Sequence, residues 1–211
     1  MRGIEQIPWL YDAACAVFEA AGLARWRRWL VSGARGRVLD LGAGTGRNLP
    51  LLPVDTRAVG LDPSWAALQR ARRRAPGVPL VVGSAEALPF RDAVFDTVLS
   101  GLAFCSVPDA ARGLRETRRV LRADGRLRML EHVRSTRRWK ARLQDRLQPV
   151  WTALTGGCRP NRDTERTVEA AGFRIEDDGR RAKGDMRRFA ARPGGPGTSG
   201  PGPQFSARRP P

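Results

Sequence analysis

A doubly wound α/β sheet is the fold this sequence predicts, and three observations predict it. Apolar, strand-like runs alternate with helical patterns along most of the 211 residues, the arrangement that builds parallel sheets from βαβ units. The first clear strand, Val38-Leu39-Asp40-Leu41, opens directly onto Gly42, Gly44 and Gly46, and glycines there permit positive φ and close approach of a ligand to the backbone. Acidic residues then stand at the ends of successive strands, at the carboxyl edge where such sheets bind ligands.

The elements follow in order. From Pro8 to Val31 apolar residues recur near helical spacing, broken by Gly22, which predicts two short helices ahead of the sheet. After the glycine turn, Asn48 to Leu52 reads as a helix end, and Arg57 to Leu61 as a second strand closing at Asp62. Pro63 and Ser64 open a helix. Val78 to Val82 is the third strand, with Gly83-Ser84-Ala85-Glu86 as its exit loop, and Val94 to Ser100 the fourth. Pro108 to Arg122 reads as a helix with Leu114, Val120 and Leu121 on its inner side, stopping at the turn Ala123-Asp124-Gly125. Arg126 to Val133 is the fifth strand, and Arg137 to Leu147 a basic amphipathic helix that ends before Pro149. Asn161 or Asp163 caps a helix running to Ala171, with Gly172 at its end and a strand at Phe173 to Glu176. Met186 to Ala191 is expected to be a short or degraded last strand, because the connection to it is brief and basic residues, Arg187 and Arg188 among them, crowd it. The domain organisation is then N-terminal helices over 1–36, a sheet domain over 37–192 and a disordered Pro/Gly-rich tail over 193–211.

One domain is the default for this length. Cys15, Cys105 and Cys158 are odd in number and widely scattered, which excludes a disulfide framework and predicts a reducing, cytoplasmic setting. No apolar run approaches the ~20 residues of a membrane span. The net charge is +17, carried by arginine apart from Lys140 and Lys183. Such charge admits nucleic acid or an anionic membrane surface as partner, the latter through the basic helix 137–147. Its spread over nearly every segment, without aromatic interleaving, favours a solvated surface. No cluster of His, Cys or acids has metal-ligand spacing.

The glycine turn also speaks for one cofactor over others. A dinucleotide fingerprint needs its third glycine where Arg47 stands, so NAD and FAD are disfavoured. Asp40, close before the first glycine, repels a pyrophosphate and suits a ligand with a cationic amine, such as S-adenosylmethionine (SAM). Asp62, 22 residues on, is placed to accept two hydrogen bonds from ribose hydroxyls; the alternative is a helix N-cap ahead of Pro63.

Several stretches carry a resemblance: VLDLGAGTGRNLP at 38–50, VGLDPS at 59–64, GSAEALPFRDAVFDTVLS at 83–100, FCSVPD at 104–109, LRADGRLRMLEHVRS at 121–135 and GGCRPNRDT at 156–164. With these the chain resembles class I SAM-dependent methyltransferases, in the group that holds ubiquinone/menaquinone-biosynthesis and thiol methyltransferase-like enzymes. The resemblance implies a seven-stranded sheet and methyl transfer from SAM. It implies that Asp40, Gly42, Ala43, Gly44 and Asn48 surround the methionine part, that Asp62 and Pro63 hold the ribose, and that Ser84, Ala85 and Glu86 meet the adenine. Ser100 at the end of the fourth strand and Tyr11 of the N-terminal helix complete this set. Relatives commonly carry an aspartate where Ser84 stands; a serine accepts one hydrogen bond without charge.

Methyl transfer rests on alignment and desolvation more than on acid–base chemistry. His132, the only histidine, leaves strand five where it would deprotonate a thiol or phenol; the plain alternative is a histidine bonded to a neighbouring carbonyl. Cys105, in an apolar run, reads as a small buried hydrophobe rather than a covalent nucleophile. The expected acceptor is a small thiol, phenol or quinone-like molecule. Alternatives are methylation of RNA or another nucleic acid, which Ser100-Gly101-Leu102-Ala103 fails to support for base amines, and a non-catalytic SAM-binding protein. Nothing in the sequence fixes an oligomeric state.

Overall fold

The alternation resolves into seven strands of one sheet, described by a computed structural model for residues 7–18 and 22–194. The strands are β1 (Arg37–Leu41), β2 (Arg57–Asp62), β3 (Leu80–Val82), β4 (Phe95–Gly101), β5 (Leu121–His132), β6 (Phe173–Lys183) and β7 (Met186–Pro193). Their order in space is β3-β2-β1-β4-β5-β7-β6, so the chain reverses its winding between β1 and β4. β1 to β5 pair in parallel, and β7 runs antiparallel between β5 and β6. Asp40 is in register with Gly60 on one side and Leu99 on the other. The glycine turn therefore leaves the middle of the sheet at its switch point, where a crevice opens between diverging connections.

Among the described residues six α-helices flank the sheet: α1 (Pro8–Phe18), α2 (Ala24–Ser32), α3 (Trp65–Arg74), α4 (Ala110–Val120), α5 (Arg138–Thr155) and α6 (Thr164–Ala170). Strand alternation sorts the core into two layers. Val38, Leu99 and Leu130 face α2, where Leu30 and Val31 meet them. Leu39, Val98, Leu127 and Met129 face the other way, with Leu114 and Val120 of α4 and Val168 of α6. Ser64 caps α3 by accepting from the Ala67 N–H, and Asp163 caps α6 by accepting from Arg166. Asp62 is thus not the cap of α3.

The sequence expectations fail at four places: the turn expected at Ala123-Asp124-Gly125 lies within β5, which starts at Leu121, β6 runs past Glu176 to Lys183, and α5 and β7 differ as well. α5 does not stop before Pro149 but continues through it to Thr155, ending in a left-handed Gly156. A proline removes one backbone donor but does not end a helix whose flanking turns are otherwise held; Gln148 bridges to Thr152 and Thr155 to the Trp151 carbonyl across this stretch. β7 is not degraded. It is eight residues long, and Phe189, Ala190 and Ala191 are fully buried. Its basic residues did not weaken it because arginine stems pack: the Arg188 guanidinium lies 4.9 Å from the Trp29 ring, where cation and aromatic face attract. Arg128 of β5 is likewise buried, 4.2 Å from the same ring, and donates to the Leu30 carbonyl at 2.7 Å. The arginine excess is therefore partly structural and not only a solvated surface. Residues 195–211, most of the expected tail, lie outside the described residues.

Because β7 is an interior strand and Phe189 on it is fully buried, Phe189→Ala is expected to lower the unfolding free energy by ~3–5 kcal/mol, read from urea denaturation. A dispensable last strand would lose far less.

Candidate active site

Three strand ends converge at the switch point. β1 brings Asp40 and the glycine turn. In that turn Gly42 has φ +71° and a Cβ there would lie 2.3 Å from Ala103 Cβ, so the turn and the β4 exit loop meet backbone to side chain with no room for a larger residue. Gly44 has φ +54°, and a Cβ there would meet only the Gly42 carbonyl oxygen at 3.9 Å, so it is the backbone conformation and not lack of room that favours glycine.

Asp40 is fully buried. Its Oδ1 accepts from Asn48 Nδ2 at 2.7 Å, and Asn48 Oδ1 accepts from the buried Arg27 at 2.7 Å. Its Oδ2 is buried with no hydrogen-bond partner. Burial pushes the Asp40 carboxyl up from 3.8 to about 7, against the pull of Asn48 and the Arg27 charge. A carboxylate with one starved oxygen, aimed at the turn, is a receptor for a cationic or donor group.

β2 brings Asp62. Its Oδ2 accepts from the Gly44 N–H at 2.9 Å and its Oδ1 from Ser64 N–H at 2.8 Å, so it ties the two turns together. Each oxygen retains a further lone pair. Burial raises this carboxyl too. Pro63 follows it and sets the entry to α3. β3 brings Ser84, whose hydroxyl donates to Glu86 Oε2 at 3.1 Å and accepts from the Glu86 N–H at 3.2 Å. Glu86 turns its other oxygen to the Asp109 N–H at 2.7 Å, so it supports the start of α4. Ala85 is buried, and Ala43 is buried within the turn.

Two further residues of the expected ligand set are buried and hydrogen-bonded to buried acids. Asn48 positions Asp40. Ser100 is fully buried and donates to Glu131 at 2.7 Å. The Tyr11 side chain lies outside the described residues.

Three residues that sequence reading missed complete the site. Glu131, fully buried, accepts from Ser100 Oγ and the Ala103 and Phe104 N–H groups with Oε1, and from the Cys105 N–H with Oε2. It thereby shapes the loop after β4, while burial still raises its carboxyl to about 7. Its signal was an acid inside the apolar run Met129-Leu130-Glu131. Asp12 on α1 accepts from Thr45 Oγ1 at 2.7 Å and from Arg47, Arg70 and Arg74; against burial, which raises it, Thr45, Arg74 and Arg47 hold it down at about 2. Its position in the Tyr11-Asp12 pair was the available clue. Arg27 has no sequence signal among so many arginines.

Beyond Glu131, His132 ends β5 near Cys158, Cys105 and Trp151. Cys105 gives the largest pull, and with His132 it brings the Cys158 thiol from 9.0 down to about 5. Cys105 is buried, its sulfur 3.5 Å from the Leu102 carbonyl. Arg159 donates its N–H to the Cys105 carbonyl at 2.8 Å, and Arg162 donates to the Phe104 carbonyl at 2.6 Å. All three cysteines are free thiols. Among the described residues no group of His, Cys, Asp and Glu is arranged to hold a metal ion.

The comparisons with known proteins show the family and the fold. Residues 39–129 match the family described as a methyltransferase domain. The chain is 32% identical over 169 residues to a demethylmenaquinone methyltransferase of Thermotoga maritima, covering 74% of this chain and 72% of that protein. It is 33% identical over 153 residues to a thiol S-methyltransferase of Homo sapiens, covering 68% and 63% respectively. A SAM-dependent methyltransferase from Mesorhizobium loti superposes with a TM-score of 0.59 over 80% of this chain and 96% of that one, at 19% identity, a likeness of fold alone.

A carboxyl whose folded pKa lies above its unfolded value binds its proton more firmly when folded, so its contribution to stability falls as pH rises from about 4 to about 7. Asp40→Asn is therefore expected to raise Tm at pH 8 by roughly 5 °C and to change it little at pH 4, by scanning calorimetry. An unchanged Tm at pH 8 would show that this carboxyl is not held in a desolvated site.

Proposed function

The chain belongs to the class I SAM-dependent methyltransferases, and from that premise we propose that it methylates a small thiol, phenol or quinone-like acceptor at the corner formed by Phe104, His132 and Cys158. The observation that carries the cofactor half is the partnerless oxygen of buried Asp40. It fits the ammonium of the methionine moiety, and binding there relieves a desolvated charge. Gly42, Ala43 and Gly44 offer a backbone cradle. The spare lone pairs of Asp62 fit two ribose hydroxyls, with Pro63 beside them. Ser84 and Ala85 stand at the adenine end, where the serine oxygen has one acceptor site left.

Bound there, SAM supplies a methyl group on a sulfonium already activated for displacement. The chain's own work is alignment, exclusion of water and removal of one acceptor proton. Glu131 fixes the 103–105 backbone that lines the approach. His132 takes the proton of a thiol or phenol in this reading. Two relatives by name methylate a thiol and a demethylmenaquinone, which supports this acceptor range; the chain spans 55% and 63% of two of the curated relatives it matches, so the acceptor is carried by the corner's chemistry.

Titration calorimetry with SAM is expected to give one site per chain, and Asp62→Ala to weaken it by ~100-fold, the loss of two charge-assisted hydrogen bonds. A labelled-methyl screen over thiols, phenols, quinols and RNA tests the acceptor; label in RNA alone would overturn the small-molecule reading. With a thiol acceptor, His132→Gln is expected to lower kcat by ~100-fold near neutral pH with KM little changed, and the loss should fade as pH passes the acceptor's own pKa.

A further inference from the structure

α5 is built inside out. Its 18 residues bury one side chain, Ala141. Polar contacts attach it to the body: Gln144 receives the Ser135 N–H at 2.8 Å and donates to the Pro160 carbonyl at 3.2 Å, Lys140 pairs with Asp185 at 2.6 Å, Asp145 pairs with Arg134, and Thr152 donates to the Cys158 carbonyl at 2.9 Å. The apolar face points outward. Trp139 is 63% exposed, Val150 59% and Leu154 61%, and Leu143 and Leu147 are exposed with them. At about 100° per residue these five fall within an arc of roughly 80°, with Trp151 at its rim. Trp151 lies near Cys158, so the stripe reaches toward the acceptor corner.

The charges beside the stripe say what covers it. Arg138, Arg142 and Arg146 run along one flank, and none of the three enters an ion pair among the described residues. A second copy of this chain would bring the same cationic flank against itself on a protein of net charge +17, a self-complementary contact that like charges oppose. An apolar helix face edged by unpaired arginines, with tryptophans at its ends, matches the boundary between acyl chains and anionic headgroups. We infer that α5 is an in-plane membrane helix that docks the protein on an anionic phospholipid surface, inserting Trp139, Leu143, Leu147, Val150 and Leu154. The inference stands whichever acceptor is methylated; it opens a route by which an apolar acceptor dissolved in the bilayer reaches His132 without crossing water.

The test is flotation of the full chain with phosphatidylcholine vesicles carrying phosphatidylglycerol, and with phosphatidylcholine alone. The wild type should float with the anionic vesicles, retain measurable binding in 0.5 M salt and show tryptophan quenching by lipids brominated on their acyl chains. L143Q/V150Q/L154Q keeps every charge and should bind at least ~10-fold more weakly, with loss of quenching; R142Q/R146Q should lose its preference for the anionic vesicles. Undiminished SAM binding and circular dichroism show that the variants are folded. Binding that survives the apolar substitutions and vanishes in salt would overturn the inference in favour of charge alone. A dimer by light scattering that the same substitutions dissociate would overturn it in favour of a protein contact.

Discussion

Holding a carboxylate out of water at the carboxyl end of the central strand is what the rest of this structure is arranged around. Asp40 cannot be solvated where it stands, so Asn48 gives one oxygen a donor and Arg27 holds Asn48, and α2 must pack against the sheet for Arg27 to reach it. The remaining oxygen stays without a protein partner. That arrangement costs stability in the empty protein and gives a cationic ligand something to relieve, the usual exchange of stability for function at a binding site. Glu131 repeats the device two strands away, but with its oxygens filled by four donors. One buried acid is left open for a ligand; the other is closed and serves as scaffold.

Much of this was legible in the sequence, because the signals were local. The glycine turn, Asp62 at the end of its strand, the Ser84 loop and the alternation of strand and helix each follow from periodicity and turn chemistry over a few residues. Asn48 and Ser100 were legible as important, but spacing alone could not show that each is hydrogen-bonded to a buried acid, Asp40 and Glu131 respectively. Arg27, whose partner is 21 positions away, and Asp12, whose partners lie 33 to 62 away, depend on tertiary contacts that no local pattern encodes.

The arginines show the same limit from another side. Read as composition they form a diffuse positive surface. In the fold they do several different things: Arg128 and Arg188 stack on tryptophan within the body, Arg119 bridges Asp92 and Glu116, and Arg162 braces the loop beside the acceptor corner. A guanidinium on an apolar stem suits each place, since it packs, stacks and donates at once. β7 was underestimated for this reason, its basic residues having been counted as polar when their stems are not.

The cluster on Asp12 gives the glycine turn an unusual kind of stiffness. Thr45 and Arg47 within the turn, Arg70 and Arg74 on α3, and α1 itself are fastened through this one carboxylate, with two of the arginines partly open to solvent. β1 behind it is held by sheet hydrogen bonds and apolar packing, which mobile ions do not screen. The turn and the strand that carries it thus belong to two different stability regimes: added electrolyte loosens the amides of residues 44–47 toward hydrogen exchange while those of residues 38–41 stay protected, so the rigidity of the cofactor cradle is set in part by the ionic composition of the surrounding solution.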